Sequence, residues 1–254
     1  MGHAFVFRNE GPDQLRGAVL HGKRKQGDSL LLRLKAWVKN SPTLFSVLSY
    51  IAAAFIGKTA KRAISHLPSD SVILNIGSGV RQVRPGVINI DYDHFPGVSV
   101  MADVHMLPFQ DNSVDAITAE SLLEHVTDPS KLVAEMRRVL KPGGLLYIVT
   151  PFMLGYHASP HDYYRWTEYG MVRLLQGFSM TESGSAWGPT VAAASIVGSW
   201  LSLLLSFGIS PLYQIWSIFF LFLFGPFTYL DFLIGLHPRA KDIAHGIYFI
   251  SHKQ

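Results

Sequence analysis

The 254-residue chain contains no cysteine. This absence excludes disulfides, thiolate zinc sites and cysteine nucleophiles. The start of the chain has no basic segment followed by a long apolar run, so we expect no secretory signal peptide. Acidic residues are scarce in residues 1–71, which hold eleven Lys and Arg against four Asp and Glu. Such a basic segment can meet an anionic membrane surface or nucleic acid, or form a solvated helix face.

Charged residues are absent from the 48 positions between Glu182 and Asp231. Two apolar runs, residues 190–209 and 212–230, lie in this segment and are joined by Ser210-Pro211. Each run is about long enough to cross a bilayer, which takes ~20 residues. Because the segment lies between two predicted strands of one sheet, both of its ends must be on the same side of any membrane. We therefore expect a membrane-embedded helical hairpin; the alternative is a lid or dimer seam in a soluble protein.

Five strand-and-turn units in residues 72–152 predict a parallel α/β sheet with crossover helices. The predicted strands end in polar or glycine residues, at the edge where open α/β sheets bind ligands. These ends are Gly77-Ser78-Gly79, Asp91-Tyr92, Asp103, Glu120-Ser121 and Thr150. Residues 179–185 and 245–252 predict two further strands.

Helical patterns flank these strands. Residues 29–39 and 43–64 predict two N-terminal helices, which pack on the sheet or, for the first, lie on a membrane. A helix is predicted to begin after Asp128 and to stop at residues 141–144. Thr167 is predicted to cap a later helix.

The glycines and aspartates at the strand ends indicate a nucleoside-containing ligand. Gly77 and Gly79 have no Cβ, so the backbone can approach a ligand closely. The dinucleotide fingerprint lacks its third glycine, and Asp91 follows Gly77 by only 14 residues, which disfavours NAD. Asp91 can bind a ribose diol, and Asp103, with Val104 as an apolar neighbour, can face an adenine amino group. Each aspartate alone is also an ordinary turn residue.

A ten-residue stretch after the fifth strand, residues 157–166, concentrates groups that act on substrates. Its predicted catalytic residues are His157, His161 and Tyr164, which can move a proton or orient an acceptor. His125, after the fourth strand, is a further candidate. The alternative is that part of this stretch is scaffold and that His125 caps a helix. No metal site is predicted.

In their order along the chain these motifs resemble the class I S-adenosylmethionine-dependent methyltransferases, above all the subgroup acting on small molecules, quinones, lipids and glycans. The resemblance covers about residues 70–185 and the last strand. Six motifs carry it: residues 76–79, 88–91, 102–109, 111–115, 122–126 and 138–144.

The resemblance implies a Rossmann-like seven-stranded sheet with a final antiparallel strand and S-adenosylmethionine as the cofactor. It places the cofactor over Gly77–Gly79, with its ribose at Asp91, its adenine near Asp103 and its methionine end near Glu120-Ser121. The chain departs from the family at Asn75, where Asp or Glu is usual, and at Arg81, where a further glycine is frequent. Asn75 can still form hydrogen bonds near the cofactor, but without charge.

The predicted organisation has four parts: a basic N-terminal helical region (1–69), an S-adenosylmethionine-binding domain (70–188), an apolar membrane-associated hairpin (189–236) and the last strand (237–254). The combined interpretation is a methyltransferase at the cytoplasmic face of a membrane, acting on a lipid or lipid-linked acceptor. The alternatives are a soluble small-molecule methyltransferase that forms a homo-oligomer through an apolar dimer seam, and a non-catalytic cofactor-binding membrane module. No nucleic-acid partner is expected, because the basic cluster has no interleaved aromatic residues.

Overall fold

A single seven-stranded sheet organises the protein, whose computed structural model describes residues 53–157 and 161–254. The strand order is β3-β2-β1-β4-β5-β7-β6, and β7 is antiparallel to both of its neighbours. The predicted Rossmann-like sheet with a final antiparallel strand is confirmed. The strands are β1 (Ile73–Ile76), β2 (Ile88–Asp91), β3 (Val100–Met101), β4 (Val114–Glu120), β5 (Leu140–Pro151), β6 (Phe178–Trp187) and β7 (Gly246–Lys253).

The described residues also contain six α-helices and three short three-ten segments. The helices are α1 (Ala60–Ala63), α2 (Pro129–Val139), α3 (Glu168–Leu174), α4 (Pro189–Ser206), α5 (Ser210–Phe224) and α6 (Asp231–Ile234). The three-ten segments are Leu123–His125, Gly225–Leu230 and Ala240–Ile243. The helix predicted over residues 29–39 lies outside the described residues.

Two of the helices begin at the caps that the sequence predicts. The Asp128 carboxylate accepts a hydrogen bond from Lys131 N at 2.9 Å, and the Thr167 hydroxyl accepts one from Gly170 N at 3.1 Å. Each cap satisfies a backbone N–H that has no partner within its helix. The buried side of α2 packs into the main core through Leu132, Val133, Met136 and Val139.

The predicted helix over residues 43–64 is wrong in its described part. Residues 53–59 are not helical, and only the four residues of α1 are. The backbone N–H groups of Ile56 and Gly57 both donate to Ala186 O, at 2.9 and 3.2 Å, so this segment lies along the edge strand β6. A Cβ at Gly57 would lie 2.7 Å from strand backbone, so glycine permits this contact.

Helices α4 and α5 form the apolar hairpin. The turn between them lies at Phe207 and Gly208, which have φ values of 50° and 77°, and not at Ser210-Pro211 as predicted. Ser210 and Pro211 instead begin α5, because proline fits the first turn of a helix, where its missing N–H is not needed. At Gly225 the helix gives way to the three-ten segment.

The hairpin satisfies its own polar groups and leaves most of its apolar surface outside the protein. The hydroxyls of Ser202 and Ser217 donate within their own helices, to Gly198 O and Tyr213 O, both at 2.7 Å. A Cβ at Gly198 would lie 3.3 Å from Phe220, so this glycine allows close helix packing. Two helical stretches, Pro189–Ser206 and Ser210–Ile234, are long and apolar enough to cross a membrane, and the second combines α5, the three-ten segment and α6. Only 28% and 22% of their most apolar 18-residue stretches are buried. Within the described residues, most of the surface of these stretches is therefore not covered by the rest of the protein.

The direction of β7 fixes where the hairpin leaves the sheet. Because β7 is antiparallel to both β5 and β6, those two strands run in the same direction. Trp187 at the end of β6 and Pro151 at the end of β5 both pair with Gly246 at the start of β7. Phe55 joins this edge through an antiparallel bridge to Trp187. The base of the hairpin thus lies at the end of the sheet that is formed by the C-terminal ends of the parallel strands.

A buried carboxylate ties the two ends of the hairpin together. Asp231, which is fully buried, accepts hydrogen bonds from Thr190 N at 2.8 Å and Val191 N at 3.1 Å. These are the first free N–H groups of α4, and a negative charge at a helix N-terminus is favourable. A Cβ at Gly188 would lie 2.4 Å from the Asp231 carboxyl carbon, so only glycine fits there.

We expect Asp231→Ala to lower the free energy of unfolding by about 1–2 kcal/mol or more, because it leaves two helix N–H groups without a partner. The measurement is denaturant unfolding of the detergent-solubilised protein. Asp242→Ala is the matched control: its ion pair with Arg239 is exposed and contributes little. Equal destabilisation by the two variants would contradict a capping role for Asp231.

Candidate functional site

The loop after β1 forms an open cradle closed on one side by Asp91. Gly77 and Gly79 both have positive φ, 65° and 51°. A Cβ at Gly77 would lie 2.8 Å from the Leu122 side chain, whereas one at Gly79 would meet nothing within 4 Å. Asp91 holds the loop, because its Oδ2 accepts from Gly79 N at 2.8 Å and its Oδ1 from Asp93 N at 3.0 Å. The cradle therefore fits a ligand that lies directly on glycine backbone.

Asn75 lies beneath this cradle in a buried amide network. Its Nδ2 donates to Asn89 Oδ1 at 2.9 Å and to Arg81 O at 3.1 Å, and its Oδ1 accepts from the Thr118 hydroxyl at 3.1 Å. One amide hydrogen thus holds the loop after β1, and the other binds Asn89 in β2. Direct contact between Asn75 and a cofactor stays a prediction.

A charged pair joins the cradle to the end of β4. Arg81 Nη1 lies 2.8 Å from Glu120 Oε2. The pair therefore spans the region predicted for the methionine end of the cofactor. Ser121, beside it, has a φ of 53°, and the buried Ser78 donates its N–H to Ile90 O at 3.1 Å.

The predicted adenine side contains one self-contained turn. Asp103 Oδ1 accepts from His105 N at 2.9 Å and lies 2.8 Å from His105 Nδ1. Val104 is buried beside it in the core, and Tyr92, after β2, is 61% exposed. Tyr92 is therefore available to a ligand, whereas Val104 presents little surface.

The loop after β5 is held together by Asp162 and Arg165. The guanidinium makes two hydrogen bonds to the carboxylate, at 2.5 and 2.6 Å, and Asp162 Oδ2 also accepts from His157 N at 2.7 Å. Although burial opposes it, the hydrogen bond from Arg165 lowers the pKa of the Asp162 carboxyl. Arg165 further donates to Leu154 O and Gly155 O. These two residues are the scaffold of the loop.

Tyr164 and His161, both predicted catalytic residues, connect the loop to the segment after β4. The Tyr164 hydroxyl donates to Thr127 O at 3.1 Å, and its ring stacks on Trp166. The His161 side chain is exposed, while its carbonyl oxygen lies 2.6 Å from His125 Nδ1. Their roles in catalysis stay predictions.

Glu124, His125 and His157 converge where these two segments meet. Glu124 is fully buried, and within residues 53–157 and 161–254 neither carboxylate oxygen has a hydrogen-bond partner. Burial raises its pKa to about 7, opposed by its own backbone N–H and by Arg165. His125 Nε2 lies 3.7 Å from Glu124 Oε1, and the His125 and His157 rings are 4.8 Å apart. The sequence analysis predicted both histidines as catalytic residues, whereas it included Glu124 only within a motif of the methyltransferase family.

His245, at the start of β7, connects the site to the hairpin. Its carbonyl oxygen accepts from Phe152 N, just after β5, at 2.8 Å. Burial, together with the positive charges of His157 and Arg165, lowers its pKa to about 4. His245 also lines a cavity of about 220 Å³ between α4 and α5. This neutral histidine therefore separates the candidate site from an apolar cavity.

Comparisons with known proteins identify what the chain is similar to. Residues 81–148 match the family described as "Methyltransferase domain". The ubiquinone/menaquinone biosynthesis C-methyltransferase UbiE of Francisella philomiragia is 36% identical over 102 residues, 40% of this chain and 37% of that protein. An uncharacterised 37.1 kDa transposon protein of Streptomyces fradiae is 43% identical over 60 residues, 23% of this chain and 17% of that protein. The chain thus spans less than two-fifths of the length of these relatives.

A solved structure shares the fold. The [4+2]-cyclase SpnF superposes with a TM-score of 0.50 and 15% identity, over 87% of this chain and 94% of that chain. The fold is that of a Rossmann-like domain, and binding of a nucleoside-containing cofactor at its strand ends stays a prediction. Residues 81–148 thus match a methyltransferase domain set in a class I methyltransferase sheet, and these findings support S-adenosylmethionine as the cofactor.

We expect Asp91→Ala to weaken S-adenosylmethionine binding by about tenfold or more, equivalent to about 1.4 kcal/mol. The variant loses the predicted ribose contact and the hydrogen bond that holds Gly79 N. Titration calorimetry on the folded variant is the measurement. Asp93→Ala, a neighbouring carboxylate on the same turn, is the control and should bind normally. Unchanged affinity in Asp91→Ala would remove Asp91 from the cofactor site.

Proposed function

We propose that the protein methylates a lipid or lipid-linked acceptor at a membrane surface, with its catalytic domain on the cytoplasmic side. The proposal rests on the position of the hairpin base. Trp187 and Gly246, which flank the hairpin, lie at the end of the sheet where the parallel strands stop and the cofactor-binding loops begin. A hairpin embedded in a bilayer from this edge brings the reactive end of the site to the membrane surface.

The exposed surface of the hairpin supports a lipid environment. Trp200 is 59% exposed, Leu203 64%, Ile215 61% and Phe207 83%. Removing one such side chain from water contributes about 1.5–3 kcal/mol when burial is complete. Several half-exposed side chains together therefore favour an apolar environment over water by many times the thermal energy.

The shape of the hairpin supports entry and exit on one side. Helix α4 has 18 residues, about 27 Å at 1.5 Å per residue, which is close to the ~30 Å hydrocarbon thickness. The turn at the tip of the hairpin contains Phe207 and Ile209 and no charged residue. The basic surplus of residues 1–71 and the charges Arg239 and Lys241 after the hairpin fit a cytoplasmic base.

The residues of the site have three tasks in methyl transfer. The cofactor supplies a methyl group already activated on a sulfonium, so the protein mainly aligns the acceptor and excludes water. The cradle of Gly77–Gly79 and Asp91 holds the nucleoside, as the open space at Gly79 allows. The loop fixed by Asp162 and Arg165 covers the acceptor side. His157 and His125 there can receive a proton from an oxygen or nitrogen acceptor.

An apolar acceptor fits two further observations. The cavity between α4 and α5 is lined mainly by apolar residues and reaches His245 at the edge of the site. The UbiE relatives are named for ubiquinone and menaquinone biosynthesis, and quinones of this type carry long apolar chains. We therefore favour an acceptor with an apolar tail that extends along the hairpin.

The membrane part of the proposal is tested with charges at the middle of the hairpin. Ile196→Asp and Phe219→Asp, at exposed positions of α4 and α5, should each weaken liposome binding strongly, because an acidic side chain at mid-membrane costs about 2.5–3.5 kcal/mol, or about a hundredfold. Liposome flotation of the full chain is the measurement. Val172→Asp, at an exposed apolar position on α3, is the control and should float normally.

Two results would contradict this arrangement. If the unmodified chain stays in the supernatant after ultracentrifugation without detergent, the apolar pair is a dimer seam of a soluble enzyme. If Val172→Asp abolishes flotation as fully as the hairpin variants, the hairpin is not the membrane contact.

The loop after β5 is predicted to serve the acceptor and not the cofactor. We expect His161→Ala and Tyr164→Phe to lower turnover on the true acceptor, while cofactor affinity stays within about threefold, a change below 1 kcal/mol. Tyr164→Phe keeps the stack on Trp166 and removes only the hydrogen bond to Thr127. Tyr169→Phe, 87% exposed on α3, is the matched control. Full activity in both loop variants would make the loop a scaffold.

Turnover itself is tested by incubating the protein with membranes and S-adenosylmethionine labelled in the methyl group. Lipid extracts should contain a labelled product heavier by one methyl group, and Asp91→Ala should not produce it. Cofactor binding without any labelled product, in lipid or soluble fractions, would favour the non-catalytic membrane module.

A further inference from the structure

The cluster of Glu124, His125 and His157 has the composition of a metal site. One ligand atom from each residue lies within 4.8 Å of the other two. Two imidazoles and a carboxylate are a ligand set found for zinc and for non-haem iron, with coordination positions left open. Two of the residues are adjacent in the chain, and the third comes from the loop after β5. The cluster therefore joins the segments that follow β4 and β5, on the acceptor side of the cofactor cradle.

The hydrogen bonds of His125 prepare it as a ligand. Its Nδ1 lies 2.6 Å from the carbonyl oxygen of His161, so Nδ1 carries the proton and donates it. The lone pair is then on Nε2, which lies 3.7 Å from Glu124 Oε1. A backbone carbonyl that fixes the tautomer in this way is the usual outer contact of a metal-bound histidine.

Glu124 supplies the second, independent observation. A fully buried carboxylate is costly unless a charge or hydrogen bonds compensate it. Within the part of the chain that the structure describes, neither oxygen has such a hydrogen bond, and the oxygens lie beside His125. A cation bound to these oxygens would compensate the free-energy cost of burying the carboxylate. Arg165 does not do so by contact, because its guanidinium is bound to Asp162.

The distances are compatible with one shared ion. Metal bonds of about 2.1 Å at tetrahedral angles place two ligand atoms about 3.4 Å apart. The 3.7 Å between Glu124 Oε1 and His125 Nε2 is close to this distance. The largest separation, 4.8 Å, needs a small closing movement, and the His157 side chain, which is 42% exposed, has room for it.

We infer that Glu124, His125 and His157 bind one first-row divalent metal ion. Building on the proposed methyl transfer, the open coordination positions would hold an oxygen atom of the acceptor beside the cofactor. The ion would act there as a Lewis acid that lowers the pKa of the acceptor hydroxyl. With His125 and His157 bound to the ion in place of acting as bases, the hydroxyl proton would leave to water. The acceptor would then be a hydroxylated or enolic compound.

The binding test uses the full chain in detergent, without a histidine tag and stripped of metal by a chelator. Titration calorimetry with Zn²⁺ is expected to give one saturable site. His125→Ala, His157→Ala and Glu124→Gln should each weaken it by about tenfold or more. His66→Ala, a histidine outside the cluster, is the control and should leave the affinity unchanged. Because His157 is partly exposed, its variant keeps the test valid if a buried substitution prevents folding.

A second measurement reports the ligands directly. Co²⁺ bound in place of Zn²⁺ should give a visible absorption spectrum that His157→Ala alters and His66→Ala does not. No saturable Zn²⁺ binding, or binding that none of the three cluster variants weakens, would overturn the inference. Both measurements need neither acceptor nor cofactor, so a failure of the proposed methyl transfer leaves their result intact. If Zn²⁺ binds but methyl transfer never occurs, the proposed function is wrong and the metal-site inference still stands.

Discussion

The antiparallel course of β7 is the constraint on which the rest of this structure depends. A strand that runs opposite to β5 and β6 must begin at the edge where those two strands end. The segment that connects β6 to β7 is therefore attached at the C-terminal end of the parallel strands, where the cofactor cradle lies. Because the connection here is an apolar hairpin, the cofactor cradle, the loop after β5 and the apolar surface all share one end of the molecule.

Desolvation dominates the chemistry of this shared end. Glu124 and Asp162 both lose water, but they are compensated differently. Asp162 receives two hydrogen bonds from Arg165 and becomes part of the scaffold, with a lowered pKa. Glu124 receives none from the described residues, and its pKa is raised to about 7. The Asp162–Arg165 pair therefore holds the loop in place, whereas the Glu124 carboxyl keeps a raised pKa.

Much of this arrangement could be predicted from the sequence. Strand-end residues such as Asp91 and caps such as Asp128 act locally, so their positions follow from chain order and side-chain chemistry. The course of residues 53–59 could not be predicted, because a helical apolar pattern was overridden by hydrogen bonds to Ala186, far along the chain. Glu124 was missed as a site residue for a similar reason: its burial is created by a loop that comes more than thirty residues later.

The hydrogen bonds of Asp231 at the base of the hairpin affect how the protein can lie against a surface. Its carboxylate bonds the first turn of α4 from a residue that follows α5, so the hairpin cannot pivot at its base without breaking these hydrogen bonds. The two ends of the hairpin are thereby held together where they leave the sheet. Under the proposed function, a bilayer that covers α4 and α5 would hold the cofactor cradle at a constant distance from its surface. Acceptors whose reactive atom lies at that depth would then be selected.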